Sequence, residues 1–300
     1  GFALGITTAG LLEVFWLRHF LRKLDIKITP YLHIAKILRN PEIKTLFKRI
    51  APGVAGAGIY QINMAVDTIL VSLVGTGAIS WLYYANRLQQ LPLGVIGAAI
   101  SVALLPILSK YLKEGQTEEA RDTQDKAVEY GLLLSLPAAV LLIVLAEPIV
   151  CLLFQHGKFL PDDTVKTAYA VIAYSVGLPC YVMTKALMPN FFARGDTATP
   201  VKYSAVVFIT NLICILLLMR SFGHIGIACA TTIAAFVSLL QYIIGLKKRG
   251  YWQFSRRLIG KVCRIVAVSL LTGAAVYAGK FAVSAFSPRF MVLNGCCWLI

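Results

Sequence analysis

Long apolar runs recur along this chain, and most are long enough to cross a bilayer, which takes roughly 20 residues as a helix. They fall at about 50–74, 78–108, 126–155, 163–193, 200–219, 224–246 and 259–284, after a first run over 1–22 and before a last one starting near 289. In hydrocarbon every backbone N–H and C=O must find its partner within the protein, so such runs dictate helices rather than open sheets. The composition agrees, with 58% hydrophobic and 14% charged residues and a mean hydropathy of +0.74. The predicted fold class is an all-α polytopic membrane protein.

A formal net charge of +15 could suggest nucleic acid as a partner. The basic residues, however, gather in alternate loops: before 50, at 110–126, at 194–202 and at 247–264, including Lys247, Lys248, Arg249, Arg256 and Arg257. The other loops hold only Lys158, Lys166, Arg220, Lys280 and Arg289. This alternation follows the positive-inside rule, which places the basic loops in the cytoplasm. Membrane lipids are therefore the expected surroundings, and no nucleic acid is expected. Residues 23–48 mix Lys27, Lys36, Arg39, Lys44 and Lys48 with Ile28, Leu32, Ile34 and Leu38, the pattern of an amphipathic helix lying on the membrane. Pro30 and Pro41 punctuate it.

The seven cysteines lie in or beside apolar runs without a CxxC, and the four histidines are scattered, so no zinc site or catalytic cluster is expected. Pro92, Pro106, Pro137, Pro148, Pro179 and Pro189 fall inside runs and predict bent or broken helices. The chain starts and stops inside apolar runs, which reads as part of a longer protein.

One stretch breaks the apolar pattern: Ser80-Trp81-Leu82-Tyr83-Tyr84-Ala85-Asn86-Arg87-Leu88-Gln89-Gln90 puts an arginine inside a spanning run. At helical spacing Ser80, Tyr83 or Tyr84, Arg87 and Gln90 share one face. A charge at the bilayer centre costs at least ~2.5 kcal/mol, so that face should look at a cavity or a partner, not at lipid. A planar, permanently charged fork suits the oxygens of a phosphate. The alternative is an ion pair with Asp67, which by helical rise lies at a similar depth, roughly 12–15 Å from the Gly75-Thr76-Gly77 turn.

Asp67 also belongs to a stripe with Tyr60 and Asn63, and Asn211 and Thr231 fall at similar depth on later helices. One carboxylate with amide and hydroxyl oxygens could cage a small hard cation such as sodium, or these groups could simply join helices by hydrogen bonds. Lys185 lies about two turns from the basic end of its run, where it could snorkel or add a second cation near Arg87. In Phe191-Phe192-Ala193-Arg194-Gly195-Asp196-Thr197-Ala198-Thr199-Pro200 a helix stops, turns on glycine and restarts, with Asp196 or Thr197 as cap.

Several motifs together resemble a known family. Ala51-Pro52-Gly53, Tyr60-Gln61-Ile62-Asn63 with Asp67-Thr68, the Ser80–Leu88 stretch, Leu104-Leu105-Pro106, Phe154-Gln155-His156-Gly157-Lys158-Phe159 and Phe192-Ala193-Arg194-Gly195-Asp196-Thr197 look like the MurJ (MviN) lipid II flippases of the multidrug/oligosaccharidyl-lipid/polysaccharide exporter superfamily. The resemblance implies a two-lobe bundle in the bacterial inner membrane. Residues 1–22 would end a helix of the first lobe, 23–48 would be a cytoplasmic connector, 49–248 the second six-helix lobe, and 249–300 further C-terminal helices. It implies transport of the lipid-linked peptidoglycan precursor, lipid II, to the outer leaflet for cell-wall synthesis, by alternating access and without enzyme chemistry. Arg87 and Ser80 then match cavity positions, and Asn86, Gln90 and Lys185 are added as substrate-binding candidates. Asn86 and Gln90 stand where many relatives carry acids. The resemblance also favours sodium at Asp67, Asn211 and Thr231, although Ile215 supplies no oxygen where some relatives have a carboxylate. The alternative from the same superfamily is an exporter of drugs or oligosaccharide-lipids.

Overall fold

In the computed structural model, which describes residues 2–23 and 41–286, every regular element is a helix. The helices are α1 (Phe2–Lys23), α2 (Pro41–Ser72), α3 (Ala78–Pro92), α4 (Ala98–Lys113), α5 (Thr117–Val144), α6 (Ala146–Phe154), α7 (Pro161–Ala193), α8 (Ala198–Lys248) and α9 (Arg256–Phe286). A π-helical turn, Leu93–Gly97, joins α3 to α4. The chain forms two compact units, Gly1–Ile50 and Ala51–Ile300. In the first, α1 ends on Arg22 and Lys23, cations that suit the negative end of a helix dipole. The amphipathic helix expected over 23–48 falls mostly outside the described residues, which resume with α2 at Pro41.

In the second unit α7 is the hub, packed against α3, the π turn, α4, α5, α6 and α8. Lipid supplies no hydrophobic drive between helices, so membrane bundles rely on close contact at small residues and on interhelical hydrogen bonds. Both are present. A side chain at Gly177 of α7 would press on Thr232 of α8, and one at Gly131 of α5 would press on Ile100 and Val182. Thr232 donates to the Ala173 carbonyl at 2.7 Å, Gln89 of α3 to the Tyr174 carbonyl at 2.8 Å, and Gln124 of α5 to the Ala186 carbonyl at 2.9 Å. The large apolar side chains that remain exposed, among them Val102, Leu134, Leu217 and Leu271, form an outer surface fit for hydrocarbon.

Of the prolines expected to bend or break helices, Pro92 and Pro148 lie beside breaks, whereas α4, α5 and α7 continue through Pro106, Pro137, Pro179 and Pro189. Pro92 has no N–H to give the helical ladder, and the π turn begins directly after it. The helix expected over 126–155 instead starts at Thr117, in polar sequence, and breaks at Leu145 (φ −105°, ψ 16°), with Pro148 in the first turn of α6. The apolar run hid the start, where Glu118 and Glu119 favour a helix N-terminus, while the break agrees with the bend expected from Pro148. The pair expected at 200–219 and 224–246 is present as the two arms of α8, two helices that meet at Gly223, whose backbone is not helical (φ 56°, ψ −132°). Past the kink the arms close tightly, and a side chain at Gly226 would collide with the Leu218 backbone.

The loops sort to opposite ends. At the basic end Arg121 donates to the Gly250 carbonyl at 3.2 Å, Trp252 Nε1 donates to Asp125 at 2.6 Å, and Arg249 pairs with Asp196. Asp196 also accepts from the Thr199 backbone N–H at 3.0 Å, acting as the cap the sequence suggested. Burial works against its charge, but the Thr199 and Arg249 hydrogen bonds outweigh it and hold the carboxyl below its ordinary 3.8. At the other end Trp81 Nε1 donates to Asp163 at 2.8 Å, and the Trp81 and His224 rings meet at 5.0 Å.

Candidate functional site

The sequence singled out α3 for its arginine, and the helix presents two faces. Ala78, Leu82, Ala85, Leu88 and Gln89 are buried at helical spacing. Ser80, Tyr83 and Arg87 are exposed on the opposite side. There the polar groups link along the helix. Arg87 Nη2 donates to the Tyr83 phenol at 2.9 Å, and its guanidinium sits 4.7 Å from the centre of that ring. Arg87 Nη1 donates to Gln90 Oε1 at 3.3 Å, and Gln90 Nε2 donates to Asn86 Oδ1 at 2.6 Å. Arg87, Asn86 and Gln90 are thus brought together as one strip.

The structure resolves the choice between the two tyrosines. Tyr83 orients Arg87, while Tyr84 turns into an aromatic cluster with Phe154 at 4.6 Å and Phe159 at 5.5 Å. Ser80 lies about two turns before Arg87 and makes no side-chain hydrogen bond among the described residues. Lys185, on α7, is exposed; its stem lies against Gly97 of the π turn rather than against the strip. No carboxylate pairs with Arg87 or Lys185 among the described residues. A guanidinium held only by neutral partners keeps its full charge for an incoming anion.

Asp67 and Arg87 do not pair; each has its own partners. Asn63 Nδ2 donates to Asp67 Oδ2 at 3.1 Å. From α8, Asn211 Nδ2 donates to Asp67 Oδ1 at 2.9 Å and to Asn63 Oδ1 at 3.2 Å. Asn211 is 2% exposed, and its Oδ1 is buried without a partner. The structure does not bring Thr231 into this clasp: its hydroxyl donates to the Ile227 carbonyl at 3.0 Å, and its own carbonyl accepts from Tyr181 at 3.1 Å. The Tyr60 side chain lies outside the described residues. Among the described residues no group of three His, Cys, Asp or Glu side chains could hold a metal ion.

Sequence reasoning missed Gln89, which locks α3 to α7 through the Tyr174 carbonyl. Its position on the same face as Leu82 and Ala85 was the available signal.

A family profile described as "Lipid II flippase MurJ" matches residues 1–296. The chain belongs to the lipid II flippase MurJ family. Curated relatives include a probable lipid II flippase MurJ from Rhizobium meliloti, 36% identical over 288 residues that are 95% of this chain and 53% of that protein. Another, from Rickettsia prowazekii, is 38% identical over 79% of this chain and 46% of its own length. The chain therefore spans about half the length of the MurJ relatives it matches. A solved structure of lipid II flippase MurJ in an inward closed conformation superposes with a TM-score of 0.71 at 27% identity, covering 90% of this chain and 54% of that one. An outward-facing transporter of the multidrug resistance MATE family shares the fold, with a TM-score of 0.59 at 17% identity over 84% of this chain and 57% of its own. As a MurJ family member with helices fit to cross a membrane, the chain is a multi-pass protein of the bacterial inner membrane.

Proposed function

We propose that the protein containing this chain moves lipid II from the cytoplasmic to the outer leaflet by alternating access, with residues 49–248 as its second lobe. The strip on α3 is the substrate contact: Arg87 grips the diphosphate, and Asn86, Gln90 and Ser80 offer neutral hydrogen bonds beside it. Lys185 adds a point charge further along the path. The observation that carries this reading is the exposed Arg87 fork, aimed by Tyr83 and Gln90 and paired with no acid among the described residues. No bond is made or broken, so the protein acts as a transporter and not as an enzyme. An exposed arginine without an acid partner among the described residues disfavours the cationic substrates of drug exporters.

The Asp67 clasp supports a candidate cation site. Asn211 turns its Nδ2 to the Asp67 and Asn63 oxygens and leaves its buried Oδ1 without a donor; with the amide turned over, that oxygen would join theirs in a set that fits a small hard cation. Asp67 and Asn211 would hold sodium there, with Thr231 on the adjoining arm of α8. A bound sodium would supply positive charge opposite Asp67.

The test is reconstitution of the full-length parent protein into vesicles with lipid II added to one leaflet. Transfer of lipid II to the other leaflet is expected above the rate in protein-free vesicles. A rate equal to that control contradicts the proposal.

A further inference from the structure

At the end away from the basic loops, three helices meet on the indole of Trp81. Its Nε1 donates to Asp163 of α7 at 2.8 Å, and the other oxygen of that carboxylate accepts from the Leu160 N–H at 2.8 Å. The group that starts α7 therefore also holds α3. The Lys166 ammonium, on the same turn of α7, stands 4.5 Å from the centre of the indole. From α8, just past Gly223, the His224 ring meets the indole at 5.0 Å and 61°.

We propose that His224 is a positioning residue for α3, acting through Trp81, and that its protonation from the outer compartment loosens this corner and frees the outer end of the helix.

The hydrogen bonding defines the neutral ring. His224 Nε2 lies 3.1 Å from the Lys166 carbonyl. A carbonyl only accepts, so Nε2 carries the proton, and this bond survives when Nδ1 is protonated as well. What changes is charge. The half-buried ring becomes a cation against an indole that already faces the Lys166 ammonium. Two like charges at one partly desolvated contact disfavour the closed corner, and protons therefore favour its opening.

The surrounding groups do not compensate. Asp162 of α7 is paired with Lys166 at 2.5 Å, and Asp163 is committed to Trp81 and Leu160. On α8 itself, Arg220 is a further cation one turn before His224. The uncharged Trp81 is what α3 presents, and the turn before it brings Val74 up to Gly223. No carboxylate pairs with His224 among the described residues.

The effect reaches the polar strip through helix geometry. Deeper in the bundle Gln89 pins α3 to the Tyr174 carbonyl. Trp81 is the hold at the other end, six residues and about 9 Å of helix before Arg87. With Trp81 released, the outer half of α3 is free to pivot about Gln89. Histidine ordinarily titrates near 6.5, within the range an outer compartment reaches.

The experiment is fluorine NMR of the full-length protein labelled with 5-fluorotryptophan, the Trp81 signal being assigned by Trp81→Phe. No substrate is added, so the result is independent of the reading of Arg87. A soluble gadolinium chelate reports how far Trp81 is exposed. From pH 7.5 to pH 5, relaxation of the Trp81 signal by the chelate should rise about threefold in wild type. His224→Gln, whose amide can still donate to the Lys166 carbonyl, should show no rise, and Lys166→Met, which removes the repelling charge, should lose most of it. Equal melting of the variants and wild type at pH 7.5 separates these effects from misfolding, and either variant alone suffices if the other fails to fold. The absence of a rise in wild type, or a rise unaltered in either variant, overturns the proposal.

Discussion

Asn211 donates to Asp67 at 2.9 Å, and this bond ties α2 to the first arm of α8. A hydrogen bond to a charged group contributes about 1.5 to 3 kcal/mol, and losing the donor leaves the carboxylate short of a partner. Asn211→Leu should therefore lower the melting temperature of the detergent-solubilised protein by several degrees. Asn211→Asp should melt low in potassium buffer and recover with added sodium if the clasp binds that ion. No sodium-dependent recovery would remove sodium from the account.

The turn between α7 and α8 should be acid-sensitive. Asp196 has its carboxyl held below its ordinary 3.8, so as pH falls the unfolded chain takes up that proton before the folded one. Its contribution is complete above about 3.8 and is lost as pH falls through the lower folded value. Below about pH 4, Asp196→Asn should flatten part of the decline in melting temperature seen in wild type. An identical pH profile would mean that the Arg249 pairing has no influence on stability.

Gly226 has no room for a methyl group, because the Leu218 backbone lies against it across the Gly223 kink. Gly226→Ala must open the hairpin between the arms of α8 and should abolish the monodisperse peak in fluorescence-detected size exclusion. Gly58→Ala, facing open space, should leave the peak intact. Loss of the peak in both variants would point to general fragility instead of this contact.

Lys185 and Arg87 should differ in degree. Lys185 carries a point charge on a flexible stem that starts beside the π turn, whereas Arg87 is a fork fixed by two hydrogen bonds. Lys185→Ala should weaken lipid II binding by a few-fold, and Arg87→Ala by about tenfold or more, as titration of the full-length protein would show. A larger loss at Lys185 would move the centre of the site toward α7.

Much of this arrangement was legible in the sequence because a bilayer leaves few choices. Run length gave the helices, the basic loops gave the two ends, and helical spacing put Arg87 and Gln90 on one face. The sequence placed Asp67 and Asn211 at similar depth, and the structure joins them. What stayed hidden depends on rotation and on single residues. Tyr83 and Tyr84 are adjacent and chemically alike, and only packing of Tyr84 on Phe154 separates them. Thr231 has the right depth, yet its hydroxyl serves its own helix, a local bond that spacing cannot exclude. Pro148 signalled a break in its run, but the residue at which the backbone leaves the helix, Leu145, could not be read from hydropathy.

On the proposed function, Arg87 binds the diphosphate through the geometry of its fork as well as its charge. The most direct measurement is growth of cells depleted of their own flippase and supplied with the full-length parent gene carrying Arg87→Ala or Arg87→Lys, each matched to wild type for membrane expression. The account predicts that Arg87→Ala fails to support growth and that Arg87→Lys, which keeps charge but not the fork, is severely impaired. Normal growth with Arg87→Ala at equal expression would contradict it.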